Sequence, residues 1–295
     1  MKEIRNPVIK LKEELMQEDY DDINNLKEIC INTDNISLKL EIDYKINRQK
    51  KKNGNIDNIN EFMFYDGDIL VGYIGICDFG GDALEVNGMV HPDYRRNGVF
   101  TKLFYLVNDE WNKRNKKSVL LLSDSNSIDG INFIRNTCDI YDHSEYEMFL
   151  KKDFVQKQIL GDVELRNATI HDSKKIAWQN SIYFGIEYNG ESFPMPEIGE
   201  QSYIYMAILN DVIIGKVHVE INNGVGGIYG LGVLPEYRSK GYGRRILLMA
   251  IEKLKEKDSK EIMLQVEIKN KNALNLYKSC GFEETSIMDY YRVTL

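Results

Sequence analysis

Apolar and polar positions along this chain follow one order of rhythms, and the order runs through twice. Phe62–Tyr65 is an apolar run, Asp66-Gly67-Asp68 a short polar turn, and Ile69–Ile76 a second apolar run. Run, turn, run predicts a β-hairpin. Tyr203–Leu209, Asn210-Asp211 and Val212–Val219 repeat the pattern 143 positions later (69 to 212). A third strand-like run follows in each half, Leu84–Val90 and Gly227–Val233, so each half predicts an antiparallel meander. The period then changes from two to about 3.6. Leu103, Phe104, Val107 and Trp111 share one helical face in the first half; Ile246, Leu247, Ala250, Ile251 and Leu254 do so in the second. Ser118–Leu122 and Glu261–Glu267 return to a strand pattern, and a crossover helix of this kind allows the flanking strands to pair in parallel.

Each half opens with a strand-like run and an acidic helix, and closes with a helix and a strand-like tail, Tyr146–Leu150 and Tyr290–Leu295. In the second half His171-Asp172 stands where it can cap a helix from about Ser173. A chain of 295 residues divided by such a repeat predicts two similar domains, residues 1–152 and 160–295, with a boundary near Lys151–Gly161. No Pro/Gly/Ser-rich linker lies there, so the domains are expected to pack. Asn47–Asn60 is rich in Lys and Asn and reads as an exposed loop.

The formal charge of −8 argues against nucleic-acid binding, which needs a basic face. Cys30, Cys77, Cys138 and Cys280 show no C-x-x-C spacing and no His cluster, so they read as buried thiols of a reducing compartment, and no metal site is expected. The N-terminus lacks an apolar signal region, and the longest apolar runs are too short to span a bilayer. The expected location is cytoplasmic, with no membrane partner; the oligomeric state is not legible.

The repeat centres on V-x-P-D/E-Y-R-x-x-G, present from Val90 to Gly98 and from Val233 to Gly241. Each copy joins a strand-like run to a helix-like one. The first amides of a helix have no intrahelical partner, and the helix dipole favours anions there. Gly241 and Gly243 allow close approach of a ligand, and Arg238, Lys240 and Arg244 add positive charge. The turn is built for a phosphate or pyrophosphate, yet it has neither the Walker G-K-S/T nor the G-x-G-x-x-G pattern.

On these residues the sequence resembles the GNAT superfamily of acyl-CoA-dependent N-acyltransferases. Arg238–Gly243 matches that family's pyrophosphate loop, Q/R-x-x-G-x-G/A. Asn270, Ala273, Leu276, Tyr277, Gly281 and Phe282 match a second family element, N-x-x-A-x-x-L-Y-x-x-x-G-F. The resemblance covers Val163–Leu295 well and Met1–Leu150 less completely. It implies an α/β (α+β) fold of two GNAT-like domains, each a mixed, mostly antiparallel twisted sheet flanked by helices. It also implies acetyl-CoA as co-substrate. Its pyrophosphate would lie on the amides of Arg238, Ser239, Lys240, Gly241, Tyr242, Gly243 and Arg244, and its pantetheine along Leu231, Gly232 and Val233. Asn270 would contact the cofactor and Tyr277 would protonate the departing thiolate, a role that suits a phenol.

The base that deprotonates the amine stays open. Some family members carry a Glu five residues before the motif Asn; here that residue is Gln265. Glu267, Glu220 and water-mediated deprotonation are the alternatives. The first copy keeps Val90, Arg95, Arg96, Asn97, Gly98 and Val99, but Phe100 replaces the second small residue. At an offset of 144, Asn126 matches Asn270 and Phe133 falls opposite Tyr277. Phe133 cannot donate a proton, so the first domain is expected to be degenerate, either a second CoA site or a buttress.

The acceptor pocket is expected in Ile176–Gln201, where Trp178, Tyr183, Phe184, Tyr188 and Phe193 interleave with Glu187, Glu191, Glu197 and Glu200. Such a wall suits a cationic amine, and an amphipathic helix followed by an acidic surface loop is the plainer reading. His143 and His218 stand alone. The sequence thus predicts a tandem N-acetyltransferase whose C-terminal domain transfers acetyl to a primary amine of a small molecule or peptide, by direct attack in a ternary complex. A non-catalytic acyl-CoA-binding or interaction protein on the same scaffold is the alternative.

Overall fold

Both predicted hairpins form and both gain their third strand in the computed structural model, which describes residues 2–47, 58–137, 140–154, 162–196 and 201–294. The chain divides into two compact units. One holds Met1–Glu145 with Ser286–Leu295, the other Tyr146–Thr285.

The first unit begins with β1 (Pro7–Lys12), α1 (Gln17–Asp34) and a short α2 (Ile42–Asn47). Its meander is β2 (Glu61–Asp66), β3 (Ile69–Cys77) and β4 (Ala83–Val90), antiparallel throughout. Helix α3 (Val99–Trp111) then crosses to β5 (Ser118–Asp124), which pairs in parallel with β4, and α4 (Ile128–Thr137) leads to β6 (Tyr141–Leu150). Leu103, Val107 and Trp111 of α3 are buried against Phe62, Phe64, Val71 and Ile74, as the helical periodicity requires.

The second unit repeats the order as β7 (Val163–Asn167), α5 (Ser173–Phe184), β8 (Ser202–Leu209), β9 (Val212–Asn222), β10 (Val225–Val233), α6 (Tyr242–Lys255), β11 (Glu261–Glu267), α7 (Lys271–Ser279) and β12 (Phe282–Thr294). The meander β8–β9–β10 is antiparallel, and β10–β11 is parallel. Ile246, Leu247, Ala250, Ile251 and Leu254 of α6 are fully buried. Burial of each larger aliphatic chain contributes about 1.5–3 kcal/mol.

The limits of the units differ from a division at residues 152 and 160. The end of β12 belongs with the first unit, where Met288–Thr294 pairs antiparallel with β5. Met288 and Tyr290 pack there on Leu120 and Leu122, and Tyr291 joins the core under α3. Conversely, Met148 of β6 is buried in the core of the second unit. The start of α5 at Ser173 agrees with the sequence, but a 3-10 turn (Ile170–Asp172) precedes it. Asp172 closes that turn by accepting from the Thr169 N–H at 2.7 Å and from Arg166 at 2.8 Å. Of the expected loop at Asn47–Asn60, residues 48–57 lie outside the described residues, as do 155–161 of the expected boundary and Cys138.

Parallel pairing stops early in both units. β10 pairs with β11 only over Val225–Ile228, and β4 with β5 only over Ala83–Val86. β10 also bulges against β9 between Tyr229 and Gly232, with Gly230 at φ +50°. The second half of each central strand is therefore left without a partner on that side, beside the Gly-containing turn.

Candidate functional site

The two turns share one backbone. Each starts with a 3-10 turn opened by proline, Pro92–Tyr94 and Pro235–Tyr237. Arg95 Nε then donates to the Val90 carbonyl at 3.1 Å, and Arg238 Nε to the Val233 carbonyl at 2.9 Å. Those bonds explain why valine and arginine recur at this spacing. Arg96 and Ser239 both sit at φ +61°, followed by Gly98 at +72° and Gly241 at +82°, the caps of α3 and α6. A left-handed non-glycine residue costs about 1–2 kcal/mol, so both copies retain the same strain at the same position of the turn. A Cβ added at Gly98 or Gly241 would meet nothing within 4 Å, so both caps face open space.

Charge separates the copies. In the first unit Arg95 is clamped by Asp34 and approaches Asp129 at 3.4 Å, and Arg96 pairs with Asp129 at 2.6 Å. The two cations are offset by two carboxylates. In the second unit Arg238, Lys240 and Arg244 bond to neutral oxygens: the Val233 carbonyl, the Glu236 carbonyl and Ser279. Its turn keeps its positive charge.

A cavity of about 560 Å³ opens in the first unit between the splayed ends of β4 and β5, lined by Val90, Arg95, Gly98, Asp124, Asn126 and Ile134 among others. Cys30 of α1 borders it, with its thiol donating to the Val90 carbonyl at 3.5 Å; burial pushes that thiol up to about 11. At the corresponding place in the second unit α5 presents Tyr183, whose ring covers Gly232 so closely that any Cβ there would strike it.

Tyr277 lies on α7 in the core of the second unit, 9% exposed, with its ring centroid 6.2 Å from that of Phe282. Burial pushes its phenol up to about 12. The repeat register here is 143, not 144. Asn270 Oδ1 caps α7 by accepting from the Ala273 N–H at 3.2 Å, and Ser127 Oγ caps α4 in the same way from Gly130 at 3.3 Å. Ser127 thus replaces Asn270 in the first unit, Ile134 falls opposite Tyr277, and Phe133 falls opposite Leu276. Asn126, the expected counterpart of Asn270, is an exposed residue before the cap whose backbone amide donates to Asp124 at 2.8 Å.

The candidate bases are not brought together with Tyr277 by any described contact. Glu267 is part-exposed and 3.8 Å from Lys269. Glu220 lies on β9, 3.3 Å from His218 Nε2, which is also 2.7 Å from Ser202 Oγ. His218 therefore does not stand alone. Both partners meet its Nε2, so the trio does not have the relay geometry of a catalytic triad. Lys216, His218 and Glu220 alternate along β9 on the face opposite Val217, Val219 and Ile221, which enter the core with α6. Lys216 is a buried residue of this face that the alternation alone would place in solvent. Of the expected acceptor wall, Glu187 and Glu191 are exposed, and Glu197 and Glu200 lie outside the described residues. No described group of three His, Cys, Asp or Glu side chains is placed to hold a metal, and no described helix is long and apolar enough to cross a membrane.

Comparison with known proteins gives a consistent picture. A family model described as the acetyltransferase (GNAT) family matches residues 168–282. A probable N-acetyltransferase of Drosophila melanogaster is 32% identical over 136 residues, 44% of this chain and 72% of that protein. N-alpha-acetyltransferase 50 of Danio rerio is 31% identical over 142 residues, 45% of this chain and 83% of that protein. Among solved structures, a GCN5-related N-acetyltransferase from Sphaerobacter thermophilus superposes with a TM-score of 0.73 at 15% identity, covering 98% of this chain and 95% of that one. A tandem GNAT protein from the clavulanic acid biosynthesis pathway gives 0.70 at 12% identity, with 98% of each chain covered. At these identities the structural likenesses show the fold alone.

Proposed function

Because the chain belongs to the GNAT family of acetyltransferases, we propose that its second unit moves an acetyl group from acetyl-CoA to a primary amine held in the same complex. The observation that carries this reading is the uncompensated charge of the Arg238–Arg244 turn, set against the offset charge of its copy. The turn suits a pyrophosphate: its cap faces open space and the first amides of α6 are free of intrahelical bonds. Leu231, Gly232 and Val233, unpaired on the side of β11, offer backbone bonds to a pantetheine arm.

Bound acetyl-CoA supplies an activated thioester; the chain supplies position and protons. The Tyr277 phenol, held protonated by burial, donates its proton to the leaving sulfur. Glu220 with His218, Glu267 and water remain the acceptors open to the amine proton. The first unit, with Ile134 opposite Tyr277, has no phenol at that position and acts as a supporting domain.

Incubation with acetyl-CoA and a broad panel of amines and peptides should release free CoA thiol and add one acetyl mass to at least one acceptor. Acetyl-CoA binding without thiol release from any acceptor would favour the non-catalytic reading. A second expectation concerns the first unit. Calorimetry should find one acetyl-CoA per wild-type chain, and two per chain after Asp34→Asn with Asp129→Asn, which frees Arg95 and Arg96. Two sites in the wild type would show that the carboxylates do not close the first turn.

A further inference from the structure

The inner face of α5 carries polar atoms that nothing described in the second unit satisfies. Gln179 is fully buried, and neither its Oε1 nor its Nε2 has a hydrogen-bond partner; the same holds for Asn180 Oδ1 and Tyr183 Oη. Positions 179 and 183 lie one turn apart on one helix face. Below that face, on β9, Lys216 is 3% exposed. Its Nζ donates to the Gly230 carbonyl at 3.0 Å and lies 5.7 Å from the Tyr183 ring centroid. No described carboxylate pairs with it, and burial alone draws its pKa down to about 8.

A buried cation and buried hydrogen-bonding groups without partners are costly to keep. The first unit shows how the position can be closed instead. Tyr73, the counterpart of Lys216 (73 to 216), donates to Glu61 at 2.5 Å, and Lys45 pairs with Glu61 at 3.0 Å. In the second unit the counterpart of Glu61 is Ile204 (61 to 204), so no carboxylate closes the position, and the ammonium of Lys216, the amide of Gln179 and the phenol of Tyr183 lack an anion partner among the described residues. Lys216 and Tyr183 adjoin Gly232 and the β10 bulge, the stretch assigned above to the pantetheine arm, and Gln179 lies one helical turn from Tyr183 on the same face.

We propose that this cluster is a carboxylate subsite: the amine acetylated by the second unit carries a carboxylate, which pairs with Lys216 and accepts hydrogen bonds from Gln179 and Tyr183. This rests on the second unit being the transferase. It replaces the expected carboxylate-lined pocket for a cationic amine, whose described carboxylates Glu187 and Glu191 face solvent. Lys216 is the buried cation of the subsite. The described groups beside it are Met206 on β8, Gly230 and Gly232 on β10 and Tyr183 on α5, with His218 two residues along β9, and both the Arg238 cation and the Glu236 carboxylate act on Tyr183. Preference for a carboxylate should accordingly fade above about pH 8, as Lys216 loses its proton.

The test uses the full chain, acetyl-CoA and three matched acceptor sets: the twenty L-amino acids, their carboxamides, and their decarboxylated amines. At pH 7.5 at least one amino acid should exceed both of its analogues in kcat/KM by about a hundredfold or more, because a site built for hydrogen bonding discriminates strongly against analogues that leave it unpaired. Lys216→Met should shrink that preference to within about threefold while acetyl-CoA binding and turnover of the decarboxylated amine persist. Gln179→Leu should reduce it about tenfold. Should Lys216→Met fold poorly, Lys216→Arg decides: the preference should then persist above pH 8, where the wild type loses it. Preference for a carboxamide or a plain amine, or a preference unmoved by these substitutions, overturns the proposal and leaves the transferase reading intact. No turnover in any set overturns both.

Discussion

Tyr277→Phe is expected to lower kcat by about a hundredfold to ten-thousandfold, the usual range for losing a positioned general acid, while acetyl-CoA affinity stays within about twofold. The substitution removes one hydroxyl and keeps the ring that packs beside Phe282 and Leu274. The first unit carries Ile134 at this position, buried at 4% exposure, so the helix tolerates an apolar side chain there. With the phenol pushed up to about 12, the proton is in place throughout the neutral range, and the wild-type rate should show no limb from this group between pH 6 and about 10. Stopped-flow thiol release, with calorimetry of acetyl-CoA on the same preparation, separates the two quantities. A phenylalanine variant within threefold of the wild-type kcat would mean that the leaving sulfur takes its proton elsewhere.

Much of this molecule is readable in its sequence because its local signals agree with its packing. The two meanders, the crossover helices and the Gly-containing turns follow from period, turn residues and a nine-residue repeat. The last strand shows where local pattern fails. Tyr290–Leu295 reads as a strand in either unit, and its pairing with β5 is a choice between sheet edges that no local rhythm encodes. The α4 register is ambiguous for a different reason. Asn126 and Ser127 are adjacent, both are good caps, and only the bond from Gly130 to Ser127 shows which one serves. Lys216 was hidden by its own chemistry. A strand reading Lys-x-His-x-Glu predicts a wetted face, whereas α5 covers it and leaves the lysine 3% exposed. On the carboxylate-subsite proposal, function and not folding keeps this position polar.

Gly241→Val and Gly98→Val, made separately, should behave alike in stability and unlike in binding. Both glycines cap a helix at positive φ, +82° and +72°, and both have open space where a Cβ would project. The cost of forcing valine into a left-handed conformation is therefore similar, about 1–2 kcal/mol, and thermal melting should fall by similar amounts. Only at Gly241 does the new side chain enter the space assigned to the pyrophosphate and turn aside the amides that bind it. Acetyl-CoA Kd should rise about a hundredfold or more, a loss of about 2.8 kcal/mol at 1.4 kcal/mol per tenfold. Gly98→Val should change it less than threefold, because Asp34 and Asp129 already occupy the cations beside that cap. Since the strain is shared, any difference in Kd reports the ligand alone. An equal loss at both positions would place a working anion site in each unit; a loss confined to Gly98→Val would move the transferase to the first, where no phenol stands opposite Tyr277.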